Sequence, residues 1–113
     1  MGTETKTIDC CAVVLLAFEP AWLALSRSER GEWAARVGEI SARHPNDKLS
    51  WYDADALGGG YSDFALCRFQ ELRDYHFLWE ELRDTELFSR PYVRIVNVFL
   101  GIERGYEAYE NRR

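Results

Sequence analysis

CCAVVLLAF, residues 10–18, is the stretch that decides the fold, because it contains no charged or hydrogen-bonding polar side chain other than its thiols. Successive side chains of a β-strand point to opposite faces, so a strand of this composition needs an apolar environment on both faces. Pro20 follows closely and ends the strand, since proline cannot donate to the hydrogen-bond ladder. The sequence therefore predicts a central strand that is buried on both sides.

The rest of the chain alternates between helical and strand patterns. Ser26 and Glu29 have the spacing of a capping box, which begins a helix, and Pro45 marks the end of that helix. A second helix has an apolar stripe at helical spacing, formed by Leu72, Tyr75, Leu78, Trp79 and Leu82. The predicted elements after the first helix are a strand at 48–57, a turn at Gly58-Gly59-Gly60, a strand at 62–69, the second helix at 71–84, a short helical turn within 85–91, and a strand at 92–100.

The predicted order is β-α-β-β-α-β. The right-handed crossover rule makes this an α+β fold with a ferredoxin-like sheet and both helices on one face. The first and last strands are nevertheless apolar on both sides, so the second face of the sheet also needs a cover. A second copy of the same sheet is the simplest cover, and we therefore expect a homodimer with a barrel-like core.

Composition limits the classes of function. The 113 residues predict a single domain over 1–113, with 1–7 as a flexible start. The net charge of −5, with basic residues mixed among acids, argues against nucleic acid as a partner. The longest apolar run is too short to span a membrane and lacks the flanks of a secretory signal, so we expect no membrane association and a cytoplasmic location.

The three cysteines have no spacing that suits a zinc site or a redox motif. We interpret them as reduced structural thiols, with a catalytic Cys67 as the alternative. The expectation from the sequence is therefore no metal and no tightly bound cofactor.

Three stretches resemble the darcynin family: WYDADALGGGYSDFALCRF at 51–69, LRDYHFLWEELRDTELFSRPY at 72–92 and GIERGYEAYE at 101–110. The resemblance covers most of the chain, from the first strand to the tail. It implies the fold of the dimeric α+β barrel superfamily rather than a particular chemistry. That superfamily includes cofactor-free monooxygenases of aromatic polyketides, isomerases, cyclases, haem-binding enzymes and plain ligand binders, whose ligands usually lie in a cleft between the sheet and the helices.

His76 is the first candidate for chemistry. It lies at the edge of the apolar stripe of the second helix, where Trp79, Glu80 and Arg83 can be its neighbours. A histidine beside a carboxylate can be held in one tautomer and act as a general base. We expect His76 to face the internal cleft near Trp79 and the acidic hairpin. The alternative is a boundary histidine that only contacts Glu80 or solvent.

The acids of the hairpin are the second candidate. Asp53 and Asp55 are predicted to share a strand face with Trp51, and Asp63 follows across the turn. Clustered carboxylates repel each other, so one of them can hold its proton near neutral pH and act as a general acid or base. The alternative is a solvated turn whose acids protect an edge strand from pairing.

Aromatic side chains are the third candidate, because they could line a cavity for a flat ligand. The alternative is that they belong to the ordinary core. The predicted substrate-binding residues are Trp51, Asp55, Tyr61, Tyr75, Trp79 and Arg83.

Two functions fit these patterns. The first is an enzyme without a tightly bound cofactor, of the kind used in natural product biosynthesis. It would act on an aromatic or polyketide-like substrate by cyclisation, isomerisation or oxygenation, with His76, Asp53 and Asp63 as the catalytic residues. The alternative is a non-catalytic dimeric protein that binds a small aromatic molecule. A haem protein with His76 as axial ligand is a third option.

Overall fold

The computed structural model describes residues 8–57 and 60–112, so the predicted flexible start at 1–7 and the glycines 58 and 59 of the predicted turn lie outside the described residues. The four strands are β1 (Cys10–Phe18), β2 (Lys48–Asp53), β3 (Asp63–Phe69) and β4 (Val93–Ile102). They form one antiparallel sheet in the order β2-β3-β1-β4. This is the ferredoxin-like α+β sheet predicted from the sequence, with β1 as a central strand and β2 and β4 at opposite edges.

The helices are α1 (Pro20–Leu23), α2 (Arg27–Ala42), α3 (Leu72–Arg83), α4 (Glu86–Ser89) and α5 (Gly105–Glu110). The predicted capping box begins α2: the Ser26 hydroxyl accepts a hydrogen bond from the Glu29 amide at 3.0 Å, and the Glu29 carboxylate accepts one from the Ser26 amide at 2.8 Å. These two bonds satisfy amide groups that the first helical turn leaves without partners.

One face of the sheet is buried under the helices. Ala12, Val14 and Leu16 of β1 point to this face and are almost completely buried. They pack with the buried side chains Leu78 and Leu82 of α3 in a single hydrophobic cluster. The predicted apolar stripe of α3 is therefore confirmed except at Leu72, the first residue of the helix, which is exposed.

The opposite face of the sheet is apolar and only partly buried within one chain. The cross-strand register places its side chains in two neighbouring rows. The first row is Tyr52, Phe64, Leu15 and Asn97, and the second is Ser50, Leu66, Val13 and Phe99. We call these two rows the open face. Val13 and Leu15 remain half-exposed there, whereas Val14 on the covered face is wholly buried.

The predicted ends of two strands are wrong. β2 ends at Asp53 rather than at residue 57, because the Asp53 carboxylate accepts a hydrogen bond from the Asp55 amide at 3.2 Å and residues 55–57 form a 3₁₀ turn. Asp side chains often replace strand pairing by such a local bond. Asp55 therefore does not share a strand face with Trp51. β4 extends two residues further than predicted, to Ile102, because it pairs with the whole length of β1.

Over residues 8–57 and 60–112, no helix has both the length and the apolar composition to cross a membrane.

Candidate functional site

A cleft of about 220 Å³ lies on the covered side of the sheet, between α3 and β4. Val14 of β1 and two residues of β4, Ile95 and Val98, form its apolar floor. The α3 residues that line it are Tyr75, His76, Trp79, Glu80 and Arg83. We call this site the α3–β4 cleft. It occupies the position between sheet and helices that the resemblance implied.

The spacing of α3 explains why these five side chains meet at one site. Residues three and four apart in a helix lie on the same face. Trp79 is buried and holds the centre, with its ring 6.3 Å from that of Tyr75, and Tyr75 in turn stacks on Phe69 at 4.8 Å. Burial raises the pKa of the Tyr75 hydroxyl, so this side chain stays neutral near pH 7. The aromatic wall of the cleft is therefore rigid and uncharged.

The rim of the cleft carries the charges. His76 Nε2 lies 3.7 Å from Glu80 Oε2, and the two side chains are 62% and 55% exposed. A pair this exposed is weakly held, because water screens it. Arg83 lies one turn beyond Trp79 and makes no ion pair with any residue of the two described segments. The rim therefore presents an exposed His–Glu pair at one end and a guanidinium at the other.

The acidic hairpin is a separate cluster. Asp53 lies directly opposite Asp63 in the β2–β3 ladder, as predicted, and neighbouring carboxylates at such positions repel. The pKa of Asp63 is raised, first by its partial burial and then by the charges of Asp53 and Asp55, while a hydrogen bond with Ser62 opposes the shift. Asp63 therefore holds its proton more readily than an ordinary aspartate.

The prediction that His76 lies near this acidic hairpin is wrong. The hairpin lies at the β2 edge, whereas the cleft is bordered by β4 at the other edge. Three strand spacings separate these edges, or about 14 Å. The α3 residues of the cleft lie beside Val14 of β1 and Ile95 and Val98 of β4, and no residue of β2 lines the cleft with them. Asp53, Asp55 and Asp63 do not line the cleft.

The nine predicted site residues thus fall into two groups. Tyr75, His76, Trp79 and Arg83 line the cleft together. The other five, which lie at or near the hairpin, are Trp51, Asp53, Asp55, Tyr61 and Asp63.

Trp51 faces the covered side of the sheet opposite Ala65, and its indole N–H is buried without a hydrogen-bond partner among the described residues.

Sequence reasoning missed the floor of the cleft. Val14, Ile95 and Val98 are distant from α3 along the chain, and their only sequence signal was the apolar character of the first and last strands. Helical spacing could predict the neighbours of His76 on its own helix, but not the strands beneath it.

A larger open depression of about 1000 Å³ lies at the end of the sheet where β1 begins. Its walls come from both faces, since Val13 and Phe99 belong to the open face whereas Phe69 and Leu100 belong to the covered face. A depression that wraps around the sheet in this way does not enclose a ligand. We therefore take the smaller α3–β4 cleft as the candidate site.

Cys67 is a poor nucleophile in this fold. It is completely buried in β3, and burial together with the nearby Asp47 charge raises the pKa of its thiol to about 12, although the Trp79 indole opposes the shift. The thiol is therefore protonated at neutral pH. Within residues 8–57 and 60–112, no group of three or more His, Cys, Asp or Glu side chains could hold a metal ion.

The chain is similar to two curated bacterial proteins over most of their lengths. It is 37% identical over 90 residues to Darcynin 1 of Acinetobacter baumannii, which covers 79% of this chain and 100% of that protein. It is 31% identical over 71 residues to Darcynin of Chromobacterium violaceum, which covers 63% of this chain and 90% of that protein. No family model matches the chain.

Solved structures with a similar fold include chlorite dismutases. A mutant chlorite dismutase from Candidatus Nitrospira defluvii matches 87% of this chain with a TM-score of 0.74 and 13% identity. A second mutant of the same enzyme matches 90% with a TM-score of 0.75 and 17% identity. This chain spans only 41% and 43% of those two chains. At such low identity, the likeness concerns the fold.

Proposed function

Because this chain belongs to the darcynin family and has the fold of the dimeric α+β barrel superfamily, we propose that it binds a small aromatic molecule in the α3–β4 cleft. One observation carries the proposal: an apolar floor, an aromatic wall and a few charged rim groups converge in one concave site. Small-molecule sites usually have this composition. The volume of about 220 Å³ is below the ~300–1,000 Å³ of sites for drug-sized ligands, which favours a single ring over a multi-ring polyketide.

A cleft-filling substitution tests this proposal. Val98 lines the cleft and is 38% exposed, whereas Val96 lies two residues away in β4, is 41% exposed and does not line it. Val98→Trp should fill the cleft without removing any core contact, and Val96→Trp is the matched control. Titration calorimetry with single-ring compounds should show binding to the wild type and to Val96→Trp, and its loss in Val98→Trp. Equal binding by both variants, or no binding of any ring to the wild type, would contradict the proposal.

Acid–base catalysis at the same cleft is the second candidate function. It is favoured by His76, the one histidine in the cleft walls, with the Glu80 carboxylate one turn away at 3.7 Å. A histidine beside a carboxylate can act as a general base in catalysis. The reaction would be a proton transfer on a ring substrate, such as an isomerisation or cyclisation. Asp53 and Asp63, predicted from the sequence as its partners, could contribute only from outside the cleft walls.

Conservative substitutions separate binding from catalysis. His76→Gln should leave ring binding within about threefold and abolish turnover, because it keeps hydrogen bonding but cannot transfer the proton. Asp53→Asn and Asp63→Asn should change neither. His44→Gln is the control, because His44 does not line the cleft. Its Nε2 atom lies 2.7 Å from the Glu81 carboxylate. If turnover survives His76→Gln, His76 is not the catalytic base, and ligand binding is the function that remains.

Haem does not fit the candidate site. A four-ring macrocycle exceeds a cleft of about 220 Å³, and His76 already lies beside Glu80 at its rim. We therefore derive no step that involves haem.

We also propose that a second copy of the chain covers the open face. Its two apolar rows lie side by side, and Tyr52 stacks on Phe64 at 4.9 Å within the first row. The next row along the sheet contains Lys48 and Arg68, so the apolar surface has a basic border on one side. A self-complementary apolar centre with a polar border suits a two-fold interface between identical chains.

Sedimentation equilibrium tests the dimer. The wild type should have about twice the 13.2 kDa chain mass. Leu66→Glu places a charge in the centre of the open face and should produce monomers. Ala35→Glu is the control, because it places the same charge on an exposed residue of α2, away from the sheet strands. A monomeric wild type would contradict the open-face proposal. If Ala35→Glu dissociates the dimer and Leu66→Glu does not, the interface is formed by α2 instead.

A cytoplasmic location remains part of the proposal. The three cysteines of the chain are all free thiols, which suits a reducing compartment. Cell fractionation with an antibody against the protein would test it.

A further inference from the structure

We infer that the ligand of the α3–β4 cleft is an aromatic carboxylate whose anionic group is bound by Arg83. This inference rests on the proposed function, because it names the chemical class of the molecule that the cleft would hold. It depends on three features of the site: its charges, its size and the spacing of its side chains along α3.

The charges favour an anion. Three charged or titratable rim groups line the cleft, and two of them, His76 and Glu80, lie against each other. Arg83 is left without an acidic partner within 4.0 Å among residues 8–57 and 60–112. The nearby carboxylate of Glu81 is already engaged, since it pairs with Arg43 and His44 on another side of α3. The rim therefore has one guanidinium that a ligand carboxylate can pair with.

The chemistry of that cation favours a carboxylate. A guanidinium donates two parallel N–H bonds that match the two oxygens of a carboxylate. Beside an apolar floor, such bonds are less screened than on a flat surface. A ligand with an anionic group at one end and an apolar body therefore complements this cleft better than a neutral ring.

The spacing along α3 sets the size of the ligand. Trp79 and Arg83 are four residues apart, which is about 6 Å along the helix axis. His76 lies three residues before Trp79, about 4.5 Å in the other direction. A ring placed against Trp79 can therefore present a directly attached carboxylate to Arg83 and a polar group on its far side to His76. A single-ring acid such as 4-hydroxybenzoate has these features and suits a volume of about 220 Å³.

Titration calorimetry with two matched probes tests the inference. 4-Hydroxybenzoate and 4-hydroxybenzamide have the same shape and differ in charge. The wild type should bind the acid at least about tenfold more tightly than the amide, because charge-assisted hydrogen bonds contribute more than neutral ones. Arg83→Gln should abolish this preference. Arg73→Gln, which removes an exposed arginine of the same helix that does not line the cleft, should keep it.

The outcomes separate this inference from the proposed function. If the wild type binds acid and amide equally, or if the preference survives Arg83→Gln, the carboxylate inference is wrong while ring binding stands. If the amide or another neutral ring binds and the acid does not, the inference is also wrong. If no ring compound binds, charged or neutral, both the carboxylate inference and the proposed ring binding are wrong. Arg83 is exposed, so Arg83→Gln should fold normally, and circular dichroism can verify this.

Discussion

Asp47→Asn is expected to stabilise this protein at neutral pH. Asp47 lies between α2 and β2, is only 6% exposed, and neither of its carboxylate oxygens has a hydrogen-bond partner among the described residues. Its pKa is raised, mainly by burial and further by the charge of Asp74 on α3, while His44 at the end of α2 opposes the shift. The charge of this carboxylate also raises the pKa of the Cys67 thiol on β3. A buried charge without a partner lowers the free energy of unfolding, and a neutral side chain of the same shape does not carry this penalty.

The direction of the pH dependence follows from the raised pKa. When the folded-state pKa of a carboxyl group lies above its unfolded value, the associated stability is fully present below the unfolded pKa and is lost as the pH rises through the folded pKa. An unsatisfied buried polar group costs about 1–3 kcal/mol. Asparagine at residue 47 still lacks partners, so we expect only part of this cost to be recovered, about 1 kcal/mol at pH 8. That corresponds to a rise in Tm of about 4 °C for a domain of this size.

Urea unfolding at pH 4, 6 and 8 is the assay. The stabilisation of Asp47→Asn should be smallest at pH 4, where the raised pKa favours the protonated wild-type carboxyl group, and should grow as the pH rises. Glu39→Gln is the control, because it neutralises an exposed acid in α2 and should change the stability by less than about 0.5 kcal/mol. If Asp47→Asn is less stable than the wild type at pH 8, the carboxylate has a favourable partner and the reasoning is refuted.

Three further predictions concern the cap, the thiols and metal. Ser26→Ala removes the hydroxyl that accepts the Glu29 amide bond, while the Ser26 amide can still donate to the Glu29 carboxylate, and should lower the free energy of unfolding by about 1 kcal/mol in urea titrations; no change would mean that α2 does not depend on its cap. At pH 8, Cys67 should not react with a thiol reagent until the protein unfolds, because its pKa is about 12, whereas the half-exposed Cys10 and Cys11 should react first; fast labelling of a variant that retains only Cys67 would contradict its burial. Protein purified without chelator should contain well under one equivalent of transition metal by elemental analysis, and a stoichiometric metal that disappears in Asp53→Ala would show that the hairpin is a metal site.

Local sequence patterns predicted the elements of this fold because they depend on neighbours along the chain. The cap at Ser26 needs only a carboxylate three residues later, and the buried stripe of α3 needs only helical spacing. The same spacing places His76, Trp79 and Arg83 on one face of the helix without any tertiary contact. The strand pattern did not predict the end of β2 correctly, because a hydrogen bond from the Asp55 amide to the Asp53 carboxylate competes there with strand pairing.

By itself, the sequence determined the strand and helix order, the two-sided apolar character of the first strand and the set of α3 residues that share one face. The tertiary structure decided what lies beneath that face. Val14, Ile95 and Val98 form the floor of the cleft that His76 lines, while Asp53 and Asp63 belong to β2 and β3 on the other side of the sheet. Periodicity reports which side of an element is apolar, but the contact between two elements depends on packing between residues far apart in the chain.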